Sequence, residues 1–225
     1  MRVLVIAAHA DDEALGCGGT LARHTDNGDE VQVIFLADGV ASRGAEAGDS
    51  MSMARRHAAA EQAARALGTL PPILLGLPDN RLDSIPLLDV VQSFEARAQA
   101  FLPAVVYTHF GGDLNVDHRI AHQATLTVFR PVPGSTVRAI YTFETPSSTE
   151  WAGTEIGPPF RPSRYVGIEA NWQAKHAALV AYAEEMRPEP HSRSLGAVEA
   201  LARRRGAEVG LRLAEAFGVV RDILA

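Results

Sequence analysis

An apolar run that ends abruptly in titratable side chains constrains this chain more than any other stretch. Residues 3–8 read Val3-Leu4-Val5-Ile6-Ala7-Ala8, followed at once by His9-Ala10-Asp11-Asp12-Glu13 and then Leu15-Gly16-Cys17-Gly18-Gly19-Thr20. A continuous apolar run of this length, without alternation, fits a strand covered on both faces, as in a parallel sheet. The polar cluster then stands at the strand's carboxyl end, the edge where open α/β sheets bind their ligands. If the backbone turns helical after His9, then His9 and Asp12 share a face and can grip one cation. Asp11 projects about 100° away around the axis. Imidazole plus carboxylate is a donor pair suited to zinc, and a free carboxylate beside a metal can take a proton from water. The plainer reading is that the acidic triplet merely favours the positive end of a helix. The spacing of His9 and a second cluster downstream tip the balance toward a metal.

Strand-like and helix-like segments alternate over the rest of the chain. Strands are expected at 3–8, 30–36, 73–77, 104–108, 138–145 and 165–169, and helices at 13–27, 50–67, 87–101, 117–129, 171–185 and 195–217. The alternation predicts an α/β, Rossmann-like, doubly wound and mostly parallel sheet in a single domain over 1–225. Two long connections stand out. A polar, glycine-rich loop covers 37–44, and 146–162 carries four prolines and Trp151 with no periodicity, which suits a lid or rim.

The second cluster follows the fourth strand: Thr108-His109-Phe110-Gly111-Gly112-Asp113-Leu114-Asn115-Val116-Asp117-His118-Arg119. In a doubly wound sheet the first and fourth strands are commonly neighbours, and ligands enter the crevice between them. His9 and His118 then face one crevice. Two histidines and one carboxylate make a three-ligand set that leaves a fourth position for water. Asp117 also fits the N-cap of the following helix. His109 reads equally as a substrate contact or as a satisfied strand-end histidine. His122, one turn past His118, would close the coordination shell as a fourth ligand and is assigned to packing.

Composition sets the outer limits. With 225 residues, 47% of them hydrophobic, the chain is long enough to build one core without disulfides, and no apolar run is long enough to span a bilayer. The first residues form a strand and not a secretory leader, so a cytoplasmic location is expected. A net charge of -6 disfavours a phosphate-backbone binder, which excludes nucleic acid as the expected partner. Cys17, the single cysteine, rules out an internal disulfide and a multi-cysteine metal cluster. Lys175 is the lone lysine, and the bias toward arginine reads as genome composition. A homo-oligomer is compatible with all of this.

The two clusters resemble the signatures of the PIG-L/LmbE family of zinc-dependent de-N-acetylases, which act on amino-sugar conjugates. Ala8-His9-Ala10-Asp11-Asp12-Glu13 is similar to AHPDDE, with Ala10 in place of the usual proline, and the segment ending at His118 is similar to HPDH. The resemblance implies His9, Asp12 and His118 as metal ligands, Asp11 as general base and Asp117 as an orienting carboxylate. Asn115 stands where the family has its first histidine of that motif, a residue that helps polarise the reacting carbonyl. The task therefore passes to the Asn115 amide, to His109 or to Asp113. More loosely, Arg56 and Asp79 match a substrate-side arginine and a sugar-hydroxyl contact, although Ala59 stands where a glutamate is usual. Glu144, Arg187, His191, Arg193 and Glu215 also have the look of family members of this length.

The expected activity is therefore a Zn²⁺-dependent hydrolase, with another divalent ion as an alternative, that removes an N-acetyl group from an amino-sugar or its conjugate. Three readings stand beside it. One is an amidase for a thiol-sugar conjugate or another N-acyl substrate. Another is a nucleotide-binding module, because Gly16, Gly18 and Gly19 follow a first strand; the spacing lacks G-x-G-x-x-G, and the acidic triplet would repel a pyrophosphate. The last is a metal-bound protein without turnover.

Overall fold

In the computed structural model, residues 1–37, 39 and 50–224 are described. The chain runs β1 (Arg2–Ala7), α1 (Asp12–Asp26), β2 (Glu30–Ala37), α2 (Ser50–Leu67), β3 (Ile73–Leu77), α3 (Leu87–Phe101), β4 (Val105–His109), α4 (Val116–Val128) and β5 (Ala139–Phe143). It continues through β6 (Arg164–Gly167), α5 (Trp172–Ala181), α6 (Leu195–Ala207) and β7 (Ala214–Asp222). Among the described residues the strands form one seven-stranded sheet in the order β3-β2-β1-β4-β5-β7-β6. Strands β3 to β5 are parallel, and β7 runs antiparallel to both β5 and β6. The mostly parallel, doubly wound sheet expected from the alternation is what the chain builds.

Strand β1 reads as continuously apolar because each face has its own core. Val3, Val5 and Ala7 pack with Ala63 and Leu67 of α2 and Ala178 and Leu179 of α5. Leu4, Ile6 and Ala8 point the other way, onto Val90 and Phe94 of α3 and Ala121 and Ala124 of α4. Strand β1 pairs directly with β4, Val3 through Ile6 against Val105 through Thr108. That pairing brings the segment after β1 beside the segment after β4.

The glycines of α1 serve close packing. A β-carbon on Gly19 would lie 2.9 Å from the Ile168 side chain, and one on Gly16 would overlap the Phe143 ring. The helix can therefore lie tight against β5 and the segment that leads into α5. A buried ion pair braces the same stretch. Lys175 Nζ donates to the Leu15 carbonyl at 2.9 Å and contacts Glu215 Oε1 at 2.5 Å. The Glu215 carboxylate in turn accepts the Gly19 and Thr20 N–H groups. Glycines committed to packing and donors committed to Glu215 leave no phosphate cradle here, against the nucleotide-module reading.

Several expected elements need correction. The helix expected over 195–217 ends at Ala207; the chain turns through Gly210 at φ 76° and returns as β7. A β-carbon on Gly206 would meet the Leu211 carbonyl at 2.6 Å, so this residue permits the tight reversal. Local preference of an alanine- and arginine-rich stretch suggested helix, but pairing with β5 and β6 overrides it. Helix α5 stops at Ala181, short of 185, and β6 covers Arg164–Gly167 and not 165–169. Apart from Ala37 and Gly39, the loop read over 37–44 lies outside the described residues.

Candidate active site

At the carboxyl end of β1 the chain enters a strained turn: Asp11 takes φ 141° and ψ -27°. That backbone state costs a non-glycine residue on the order of 1–3 kcal/mol, and such strain collects at functional sites. The turn is held by the His9 N–H donating to Asp12 Oδ2 at 2.8 Å and the Asp11 N–H donating to Glu13 Oε2 at 3.2 Å. From outside, Arg56 donates to the Ala10 carbonyl at 2.7 Å.

Across the β1–β4 junction, His9, Asp12 and His118 each offer a donor atom, all within 4.8 Å of one another. His9 Nδ1 lies 3.3 Å from Asp12 Oδ2, and His118 Nε2 lies 3.4 Å from Asp12 Oδ1. A carboxylate backs each imidazole. His9 Nε2 is 3.1 Å from both Asp79 Oδ1 and Asp117 Oδ2, and His118 Nδ1 is 3.2 Å from Asp113 Oδ1. For His9 the hydrogen bond to Asp117 at Nε2 leaves Nδ1 for a cation, whereas His118 Nδ1 faces Asp113 at ion-pair distance without a hydrogen bond among the described residues. Asp113 is itself held by Ser148 and by Thr149 Oγ1 at 2.7 Å, and Asp117 accepts the N–H groups of Asn80 and Leu82.

The electrostatics fit a cation. Burial opposes charge on His9, yet Asp117, Asp12 and Asp79 hold its imidazole well above the usual range. Burial likewise opposes charge on His118, but Asp12 and Asp113 bring it up to about 9. Burial also works against the Asp12 carboxylate, and His118 with His109 still keeps it well below the ordinary range. The buried carboxylates thus demand positive charge, which a divalent ion supplies in place of protons. Asp11 differs: burial and the neighbouring Asp12 push its carboxyl up to about 6. It does not share in the three-residue cluster.

Around these groups opens a cavity of about 420 Å³. His9, Asp11, Asp12 and His118 line it together with Asp79, Asn80, Asn115, Arg56, Arg187, Arg193, Glu185 and Trp151. The expected rim is partly seen, since Pro146, Ser147, Ser148 and Trp151 reach the opening. Trp151 is 52% exposed and meets the His191 ring edge-on.

Not every expected residue stands where the sequence suggested. His109 is wholly buried and does not line the cavity; its Nε2 accepts the Ala8 N–H at 2.9 Å and its ring stacks on His118 at 3.9 Å. It packs behind His118 and does not reach the cavity, unlike the substrate-side position the sequence suggested. Asp113 is likewise enclosed behind His118. Asn115 lines the cavity, but its Oδ1 caps α4 by accepting the Asp117 N–H and its Nδ2 donates to Asn80. Asn115, and not Asp117, is therefore the N-cap residue. Arg56 is buried and bound to two carbonyls and to Glu185 at 2.7 Å, so it ties loops together more than it reaches outward.

Other residues escaped the sequence reading. Ser148 and Thr149 hold Asp113 from more than 30 positions away, and Tyr182 donates to Glu13 Oε1 at 2.7 Å. Arg193, singled out above only for its likeness to family members, approaches Asp11 Oδ2 at 3.4 Å. No local spacing announces contacts over such separations. An offset of five between Asp113 and His118 was the one available signal.

Fold and site together define a class: a doubly wound α/β protein with a three-residue cluster that could hold a cation and a separate carboxylate at the sheet's carboxyl edge. The profile of the family described as PIG-L, GlcNAc-PI de-N-acetylase, matches residues 4–129. An uncharacterized deacetylase, YaiS of Escherichia coli, is 31% identical over 151 residues, covering 65% of this chain and 75% of its own. The 1D-myo-inositol 2-acetamido-2-deoxy-α-D-glucopyranoside deacetylase of Mycobacteroides abscessus is 25% identical over 228 residues, covering 82% and 81%. Among solved structures, the conserved protein TT1542 of Thermus thermophilus superposes with a TM-score of 0.75 at 28% identity over 99% of this chain and 96% of its own. The chain belongs to the PIG-L family of de-N-acetylases, hydrolases that act on N-acetyl amides.

Proposed function

We propose that the chain is a zinc-dependent de-N-acetylase of an amino-sugar conjugate, with His9, Asp12 and His118 as the metal ligands and Asp11 as the general base. One observation carries the reading: a two-imidazole, one-carboxylate cluster shares its cavity with a carboxylate that stands outside that cluster. When bound, the ion supplies Lewis-acid chemistry, lowering the pKa of water and polarising an amide carbonyl.

The protein's own groups do the rest. Asp11 takes a proton from the attacking water and returns it to the departing amine, and a carboxylate near pKa 6 is matched to both transfers at neutral pH. Asp117 and Asp113 orient His9 and His118. Asp79, at the cavity wall, accepts from sugar hydroxyls, and Trp151 at the rim offers an apolar face to a pyranose ring. The inositol-linked amino-sugar in the name of the Mycobacteroides relative supports a conjugate over a free sugar. A volume of about 420 Å³ suits one sugar ring with a small attached group.

Metal analysis of the purified protein, followed by an acetate-release screen over N-acetylated sugars and their conjugates, tests the reading. About one zinc per chain with acetate release from an amino-sugar is expected. Release from thiol-sugar amides alone would favour the amidase reading, and bound zinc without turnover of any amide would leave a binding protein.

A further inference from the structure

We propose that Arg193 donates to the oxyanion that forms on the amide carbonyl oxygen, taking the place that neither Asn115 nor His109 can fill. The proposal rests on the deacetylase reading and adds a catalytic residue to it.

Attack on an amide places a full negative charge on the former carbonyl oxygen, and one preorganised donor there is worth about 10²–10³ in kcat. Asn115 is spent on capping α4 and on Asn80, and His109 lies under the floor. Among the described residues three arginines line the cavity. Arg56 is occupied by the carbonyls of Ala10 and Gly39 and by Glu185. Arg187 directs Nη1 at the Glu184 and Met186 carbonyls. Among the described residues the Arg193 guanidinium has only the 3.4 Å contact with Asp11 Oδ2, and its buried Nε has no hydrogen-bond partner.

Its position is the decisive point. A water that gives its proton to Asp11 sits about 3 Å from that carboxylate, and the carbonyl it attacks stands about 3 Å further on. A guanidinium alongside the same carboxylate can reach the oxygen of that carbonyl. The backbone that carries it is braced: the Arg193 N–H donates to His191 Nδ1 at 3.0 Å, the Ser194 N–H to the His191 carbonyl at 2.8 Å, and Ser194 Oγ caps α6. A guanidinium also keeps its charge throughout the reaction, so it stabilises the oxyanion without donating a proton to it.

The step balances. The water oxygen bonds to the amide carbon, one water proton passes to Asp11, and the carbonyl π pair moves onto oxygen, where Arg193 donates. Collapse restores the carbonyl and breaks the C–N bond; the pair leaves on nitrogen, which takes the proton from Asp11. The products are the free amine and acetic acid, whose remaining proton is lost to solvent to give acetate.

Two measurements on the zinc-loaded protein test the assignment. In steady-state kinetics on the sugar selected by the acetate-release screen, Arg193→Ala should lose about 10²–10³ in kcat with KM changed less than about threefold and zinc content intact; Arg193→Lys should recover part of the loss. Added guanidinium ion should raise the rate of Arg193→Ala by about tenfold and leave the wild type unaffected, which a purely structural role would not produce. Calorimetric titration with acetate, which presents the same kind of oxyanion, needs no turnover. Its affinity should fall by about tenfold or more in Arg193→Ala, with Arg193→Lys between. If no sugar is hydrolysed, the substrate reading fails while the acetate titration still decides on Arg193. Unchanged acetate affinity, or a kcat in Arg193→Ala within about threefold of wild type, overturns the proposal.

Discussion

Asp117 Oδ2 lies 3.1 Å from His9 Nε2 while the same carboxylate accepts the backbone N–H groups of Asn80 at 2.7 Å and Leu82 at 3.0 Å. The imidazole is thereby tied to the turn after β3, and its Nδ1 is aimed at Asp12. Removing the charge but keeping the shape isolates that effect. Asp117→Asn is expected to weaken zinc binding by about 10–100-fold, measured by chelator competition, with the circular dichroism spectrum unchanged. Equal affinity in the two proteins would mean that Asp79 alone orients His9.

Asp11 poses a conflict between stability and chemistry. Burial and Asp12 raise its carboxyl to about 6, so the metal-free folded state holds this proton more tightly than the unfolded chain does. Its contribution is therefore fully present below pH ~4 and lost as pH rises through about 6. Asp11→Asn should consequently melt higher than the wild type at pH 7.5 in the absence of metal, with the advantage vanishing near pH 4. The same variant should retain zinc and lose about 10²–10⁴ in kcat. A lower melting temperature at pH 7.5 would contradict the burial argument, and retained turnover would remove Asp11 as the base.

How much of this was legible in the sequence depends on the range of each interaction. His9 and Asp12 could be paired by helical spacing, and His118 by the rule that first and fourth strands are neighbours, which the β1–β4 ladder bears out. What supports them was not legible. His109 carries the same chemistry as His118 in a sequence string, and only the folded arrangement separates the ring that lines the cavity from the one stacked beneath it. The start of strand β7 was read as the end of a helix because an alanine- and arginine-rich stretch leads into it, while its pairing with β5 and β6 is set by residues far away in the chain. The glycines after Asp12 suggested a phosphate loop, yet their neighbours are the side chains of Phe143 and Ile168 from distant strands and turns.

Asn115 separates capping from catalysis. Its Oδ1 accepts the Asp117 N–H at 2.8 Å, which fixes the start of α4 and with it the direction of His118. Asn115→Ala is expected to cost about 1 kcal/mol in urea unfolding, and Asn115→Ser only a fraction of that, because serine also caps. If the two variants prove equally stable, the cap is not what Asn115 contributes.

Lys175 and Glu215 make the strongest prediction about stability. Both are almost fully buried, and Glu215 also satisfies the Gly19 and Thr20 N–H groups, so the pair spans α5, β7 and the glycine-rich part of α1. Truncating the lysine leaves a carboxylate enclosed with only backbone donors. Lys175→Met should therefore cost about 3–5 kcal/mol, seen as a large fall in the urea midpoint. Glu215→Gln in the same background should restore part of that loss, since the amide oxygen still accepts one N–H while the uncompensated charge is gone. Additive losses in the double variant would show that the two groups do not act as a pair. Because Gly16 to Thr20 continue the helix that begins at Asp12, Lys175→Met should also loosen the metal cluster, and zinc affinity should fall alongside stability even though the substituted residue lies outside the cavity.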